Sequence, residues 1–124
     1  MTPDETVDLL TLVQSYDRRT VGEADVAAWH LAIGDQPYAD AQNAVIAHYR
    51  ESREWIMPAD IRQRVREIRQ GRLDITPVPP APPEVAANPD AYRKWRGDWR
   101  KKIADGDFVR PAVGGTRAVE DGDL

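Results

Sequence analysis

The side chains that most often carry catalysis are few in this chain. It has two histidines, His30 and His48, and no cysteine, so a thiolate nucleophile and a thiolate metal site are excluded. Each histidine lies beside an apolar stripe on a predicted helix, which favours a half-buried structural imidazole. Acidic pairs such as Asp4–Glu5 lie at predicted helix starts, where carboxylates complement the helix dipole. We therefore predict a non-enzymatic protein with no catalytic residue, metal or cofactor.

Composition excludes further classes of protein. The sequence contains no phosphate-binding loop, dinucleotide fingerprint or zinc-protease motif. A net charge of −4 argues against a protein that coats nucleic acid. The acidic start of the chain is unlike a signal peptide, and no apolar run is long enough to span a membrane. The expectation is a soluble, cytoplasmic protein without a membrane partner, in the host cytoplasm if a phage encodes it.

The first basic feature is an arginine stripe on the fourth predicted helix. Arg62, Arg66 and Arg69 follow i, i+4, i+7 spacing, away from the apolar positions of that helix. Arginine binds phosphate and carboxylate groups in a bidentate manner, so the stripe is a candidate surface for an initiator protein or for weak DNA contact. The alternative is an ordinary solvated helix face.

The second basic feature is an aromatic segment near residue 95. Two tryptophans and a tyrosine share one face of a predicted amphipathic helix, with arginines and lysines around them. Aromatic anchors flanked by cations suit a groove on an acidic partner or stacking on single-stranded nucleic acid. Packing against the helical body is the structural alternative. The candidate contact residues are Tyr92, Arg93, Trp95, Arg96, Trp99, Arg100 and Ile103.

The modest net charge conceals opposite charges along the chain. Residues 1–49 carry 2 basic and 8 acidic side chains, whereas residues 50–76 carry 7 basic and 5 acidic ones. Residues 77–124 carry 8 of each sign. The acidic start and the basic helices therefore need separate explanations.

Helical periodicity predicts the elements that position these residues. A capping box at Thr2 and Glu5 opens the first helix, which extends to about Tyr16. Gly34 is expected to end the second helix in a left-handed conformation, and Gly71 to end the fourth. Asp35 is a possible cap for the third helix. The second, third and fourth helices are predicted at about residues 23–33, 37–53 and 58–71.

The whole chain is predicted to be all-α. Residues 1–74 form a small four-helix domain, residues 75–88 a proline-rich extended linker, residues 89–104 one further amphipathic helix, and residues 105–124 a disordered tail. An Asp60–Arg64 pair is expected on the fourth helix. Much of the burial in the domain is expected from its aromatic side chains, which are Tyr16, Trp29, Tyr38, Tyr49 and Trp55.

The order of motifs in residues 5–66 resembles the phage replicative helicase loader and inhibitor family. The similar features are a helix centred on Trp29, a short acidic turn, a helix in which Val45 precedes Tyr49, and a helix that starts at Pro58 and continues to Ile61. These motifs are mostly core and turn residues, so they bear on fold more than on function.

The resemblance implies a specific role. Members of this family bind a DnaB-type hexameric replicative helicase, hold it inactive and help deliver it to origin DNA. They combine a compact helical domain with a flexible C-terminal part that engages the helicase. A small nucleic-acid-binding regulator that uses the arginine stripe is the alternative, and an accessory structural protein is a third possibility.

Overall fold

All regular secondary structure in the described part of the chain is helical, which confirms the predicted fold class. The structure is a computed structural model that describes residues 1–107, and no strand occurs among them. The prediction of a disordered tail lies outside the described residues from position 108 onward. The helices are α1 (Pro3–Asp17), α2 (Glu23–Ile33), α3 (Tyr38–Glu51), α4 (Pro58–Ile75), α5 (Pro83–Ala86) and α6 (Pro89–Asp105).

The chain divides into two compact units between Gly71 and Arg72. The first unit contains α1, α2, α3 and most of α4. The second contains the end of α4 together with α5 and α6. The predicted linker at 75–88 is therefore not wholly extended, because α5 forms one helical turn within it. Pro83 lies at the start of that turn, where a backbone N–H would have no acceptor within the helix, so proline is tolerated.

Apolar side chains from all four helices form the core of the first unit. Fully buried members include Leu9 of α1, Ile33 of α2, Val45 of α3 and Ile61 of α4. Each such side chain contributes about 1.5–3 kcal/mol relative to an exposed one. The complete buried set is Leu9, Leu10, Val13, Trp29, Ile33, Ala41, Ala44, Val45, Ile56, Ile61 and Val65.

The expectation that aromatic residues supply much of this burial is met by only some of them. Trp29 is buried, but Tyr38 and Tyr49 are only partly buried. Tyr16 and Trp55 remain 47% and 56% exposed. Aliphatic side chains supply most of the core because they occupy the inner helix positions, whereas Tyr16 and Trp55 lie where their elements meet solvent.

Of two predicted helix ends, the start of α1 is confirmed and the end of α2 is corrected. The capping box at Thr2 is confirmed, since Glu5 N donates to Thr2 Oγ1 over 3.1 Å and Thr2 N donates to Glu5 Oε1 over 2.8 Å. Gly34 is right-handed, with φ −60°, so its predicted left-handed conformation is wrong. Glycine is needed there for space, because a Cβ atom would lie 2.4 Å from the His30 carbonyl oxygen. Left-handed caps occur at Arg18 after α1, with φ 64°, and at Gly106 after α6, with φ 80°.

Helix α4 does not end at Gly71 but continues to Ile75. Gly71 has open space around the position of a side chain, so nothing forces the backbone to leave the helix there. Pro77 supplies the physical reason for the later end, because proline disfavours helical backbone in the residue before it.

Two predicted polar roles on α3 and α4 are also corrected. Pro37, not Asp35, is the N-cap of α3, and it provides no side-chain cap. Asp60 accepts a hydrogen bond from Met57 N over 2.9 Å, whereas Arg64 pairs with Glu51 over 3.0 Å. The Asp60–Arg64 pair is therefore not formed, because each group has a closer partner from a neighbouring segment.

Candidate partner-binding surfaces

Helix α6 displays the aromatic face that its spacing predicts. Asn88 caps the helix, because its side-chain oxygen accepts hydrogen bonds from Asp90 N and Ala91 N over 3.0 and 3.1 Å. The rings of Trp95 and Trp99 lie with centroids 6.2 Å apart in a tilted arrangement. Both indoles are partly buried, and we refer to this surface, together with Tyr92, as the α6 aromatic face.

Helix α6 carries cations beside its aromatic face and several intrahelical ion pairs. The Lys102 ammonium lies 5.3 Å from the centroid of the Trp99 ring. Lys94 and Lys101 form i, i+4 pairs with Asp98 and Asp105 of the same helix. Within residues 1–107, neither Arg96 nor Arg100 forms an ion pair. Arg96 is exposed, and Arg100 is partly buried.

Two of the predicted contact residues are occupied or enclosed. Arg93 pairs with Asp90 one turn earlier in α6. Ile103 is only 3% exposed, so its side chain is part of the packing and does not belong to the accessible α6 aromatic face. The end of the helix is further held by Arg72, whose Nη1 donates to the Ala104 carbonyl over 2.7 Å within the second unit.

The arginine stripe on α4 is largely engaged within the first unit. Arg62 donates to both carboxylate oxygens of Asp35, over 2.6 and 3.2 Å, and to the Ala32 carbonyl over 3.0 Å. Arg69 lies 3.9 Å from the buried carboxylate of Asp40. Arg66 donates to Gln63 on its own helix over 2.6 Å. The stripe thus ties α4 to the end of α2 and to α3.

The Arg62 contact also changes the acidity of its partner. Its hydrogen bonds, followed by that of Gln36, lower the pKa of Asp35 to about 2 against the opposing effect of desolvation. In return, the Asp35 carboxylate raises the pKa of the Arg62 guanidinium. An arginine that is bonded to a carboxylate in this way must exchange that partner before it can hold a phosphate.

Both histidines have neighbours that account for them structurally. His30 Nδ1 lies 3.0 Å from Thr6 Oγ1, which links α2 to α1. His48 is buried, and its Nε2 donates to the Glu54 carbonyl over 2.7 Å. Across residues 1–107, no group of three or more potential ligands could hold a metal ion. In the same residues, every helix is too short or too polar to cross a membrane.

A cleft that periodicity did not indicate lies on the first unit. The loop before α4 carries Trp55 and Met57, which are 56% and 51% exposed. The Arg19 guanidinium lies between two indoles, 4.7 Å from the Trp55 ring and 5.3 Å from the Trp29 ring. A cavity of about 470 Å³ opens beside them, and we call it the Trp55 cleft; its lining includes Leu10, Arg19, Val21, Asp25, Trp29 and Met57.

The Trp55 cleft was missed because its parts come from separate segments. Arg19 precedes α2, whereas Trp55 and Met57 follow α3. The sequence did contain one indication of the cleft, which is the run of three large apolar residues Trp55, Ile56 and Met57 in a short loop. Successive side chains of an extended segment point in opposite directions, so when Ile56 enters the core, Trp55 and Met57 point away from it.

Comparison of the chain with protein-family models, with curated proteins and with solved structures finds no match. What the described residues define is an all-α fold.

Proposed function

We propose that this chain is a non-enzymatic accessory protein of DNA replication that binds a DnaB-type replicative helicase and loads it, inhibits it, or does both. The α6 aromatic face docks on the helicase. The first unit meets an origin initiator protein. Binding alone performs the task, with no covalent chemistry by this chain.

The α6 aromatic face is the observation that carries this proposal. Trp95 and Trp99 form a pair of large anchors with Tyr92, 40% exposed, beside them. Arg96 and Arg100 are not ion-paired within residues 1–107. Tryptophan, tyrosine and arginine are the residues most enriched among energetic hot spots of interfaces. Such a face suits a groove that is apolar at its centre and acidic at its edge.

The resemblance in residues 5–66 supports the same role. The motif residues Trp29, Val45 and Ile61 are buried in the core of the first unit. Their positions explain why the likeness concerns fold, since these side chains determine how the helices pack. The function that the family implies is therefore a proposal for this chain, and substitutions in the α6 aromatic face test it.

The alternative, a nucleic-acid-binding regulator that uses the arginine stripe, has weaker support. Arg62 is held by Asp35 and the Ala32 carbonyl, and Arg69 lies beside Asp40. Salt titration separates the two functions. Tight DNA binding without helicase, with a steep decrease in affinity as salt rises, favours the alternative.

The test is helicase binding by a Trp95→Ala/Trp99→Ala double variant of the full chain. The partner is the purified DnaB-type helicase of the same replicon or its host. Two central aromatic anchors of about 2 kcal/mol each correspond to a loss of roughly 1,000-fold in affinity. Pull-down and sedimentation with the helicase measure this loss, and circular dichroism with thermal unfolding monitors the fold.

A Lys94→Ala/Lys101→Ala double variant is the matched control. These lysines are exposed, lie on the same helix and pair with Asp98 and Asp105. We expect this variant to retain helicase binding to within a few fold. Equal binding by the wild-type chain and the tryptophan variant refutes the docking assignment. Absence of helicase binding by the wild-type chain refutes the proposed function as a whole.

A further inference from the structure

The Trp55 cleft is held in an open form by buried interactions. Ile56 is fully buried, and Arg19 Nη2 donates to its carbonyl over 2.8 Å. Ile56 N in turn donates to the hydroxyl of Tyr49 over 3.0 Å. The two residues on either side, Trp55 and Met57, therefore face outward from a fixed backbone. Anchors that are already ordered lose little entropy when a partner binds.

The charge of Arg19 is already neutralised inside the protein. Its Nη2 lies 2.6 Å from Asp17 Oδ2, and the Arg19 and Asp17 side chains are 9% and 3% exposed. Arg19 therefore acts as a wall of the cleft, stacked between Trp29 and Trp55, and is not an exposed cation that recruits an anion.

Exposed charges around the Trp55 cleft are predominantly acidic. Asp25 lines the cavity, and Glu23 lies in the same helical turn. Asp60 lies beside Met57, because its Oδ2 accepts a hydrogen bond from Met57 N over 2.9 Å, whereas the arginine in the lining, Arg19, is already paired with Asp17. A cationic partner complements this rim, whereas a nucleic-acid backbone is repelled by it.

We propose that the Trp55 cleft docks a cationic amphipathic helix of a protein partner, which inserts an aliphatic or aromatic side chain between Trp55, Met57 and Val21. A cavity of about 470 Å³ falls within the range of about 300–1,000 Å³ typical of binding pockets. The buried indole of Trp29 forms its apolar lining, and the rim carboxylates select lysine or arginine on the incoming helix. This site is independent of the α6 aromatic face.

The test uses two fluorescently labelled peptides with the full chain. One is a short helical peptide of leucine and lysine, with leucines at i, i+3, i+4 spacing, and the other replaces every lysine with glutamate. We expect saturable binding of the lysine peptide, measured by anisotropy. Trp55→Ala and Met57→Ala should each weaken it by about tenfold or more, and Glu23→Lys by several fold.

The controls separate the cleft from general stickiness and from misfolding. Leu31→Ala removes a side chain that is 88% exposed on α2 and does not line the cleft, so it should leave peptide binding unchanged. Met57→Ala leaves the Arg19 contacts intact, which covers the case in which Trp55→Ala perturbs the fold.

Three outcomes overturn the proposal. The lysine peptide fails to saturate, its binding is the same in wild type and in both cleft variants, or the glutamate peptide binds in a Trp55-dependent manner. Sedimentation of the full chain gives the last criterion. A mass that rises with concentration and is abolished by Trp55→Ala assigns the cleft to a second copy of this chain instead.

Discussion

The Tyr49 hydroxyl joins two loops of the first unit, and its removal by Tyr49→Phe should destabilise that unit strongly. The hydroxyl donates to the Asp17 carboxylate just before the α1–α2 loop and accepts a hydrogen bond from Ile56 N in the α3–α4 loop. Phenylalanine keeps the ring, which stacks on Tyr16 at 5.0 Å. The change therefore removes the polar contacts and little of the apolar packing.

Two contributions set the size of the effect. A hydrogen bond to a charged group contributes about 1.5–3 kcal/mol, and the buried Ile56 N–H left without its acceptor costs about 1–3 kcal/mol. Because the contributions overlap when the loops relax, we expect the free energy of unfolding to fall by about 3 kcal/mol. A domain of this size typically has a total stability of about 4–10 kcal/mol. The midpoint of thermal unfolding should fall by roughly 10–20 °C.

The acid dependence of this loss provides a second readout. Burial raises the pKa of Asp17, but hydrogen bonds from Arg19 and Tyr49 outweigh it and hold the pKa below its ordinary value. A carboxyl group whose pKa is lower in the folded protein than in the unfolded chain stabilises the fold at any pH above the unfolded-state pKa. This stabilisation is lost as the pH falls through the lowered, folded-state pKa. The difference in the free energy of unfolding between wild type and Tyr49→Phe should be constant near neutral pH and become smaller in acid.

Thermal and urea unfolding, followed by circular dichroism across pH, measure both quantities. Tyr38→Phe is the matched control, because its hydroxyl accepts only a side-chain bond from Gln42 one turn away, and it should change stability by less than about 0.5 kcal/mol. Equal stability of Tyr49→Phe and Tyr38→Phe refutes the role of the hydroxyl. A deficit that does not narrow in acid refutes the Asp17 coupling.

Two further predictions test the helix ends and the arginine stripe. Gly34→Ala should lower the free energy of unfolding by about 1–3 kcal/mol, because the new Cβ meets the His30 carbonyl. Gly71→Ala should raise it by about 0.5–1 kcal/mol, because alanine favours helix and has open space there. Urea unfolding should give changes of opposite sign for the two variants, and changes of the same sign contradict the prediction. Arg62→Ala should return the pKa of Asp35 from about 2 toward the ordinary carboxyl value in an NMR titration, whereas Arg66→Ala should leave it low; an unchanged Asp35 titration in Arg62→Ala contradicts the pairing.

Local patterning predicted the elements of this fold well. The capping box at Thr2 and the apolar stripes through Leu9 and Ile61 are determined by residues a few positions apart, so spacing reveals them. The prediction that Gly71 ends α4 was wrong, because glycine alone does not force the backbone out of a helix. The helix ends near Pro77, because proline disfavours helical backbone in the residue before it.

Contacts between distant segments could not be predicted in this way. Arg62 spaces like a surface residue, but its partner Asp35 is 27 positions away. Arg19 spaces like a helix terminator, but it packs between Trp29 and Trp55. Periodicity assigns a side chain to a face and does not specify what faces it, so the arginine stripe and the Trp55 cleft required coordinates.

The same distinction decides which basic helix is the better partner surface. On α4, the acids that neutralise Arg62 and Arg69 come from other segments, so the stripe contributes to the cohesion of the first unit. On α6, aspartates of the helix itself neutralise Lys94 and Lys101, whereas Arg96 and Arg100 are not ion-paired within residues 1–107. An ion pair that already exists must be broken before a partner can use its cation, which reduces the net gain on binding. The better criterion is therefore the number of cations without an ion pair within residues 1–107, and not the number of basic residues. By this criterion α6 is a better surface than α4 for binding another molecule.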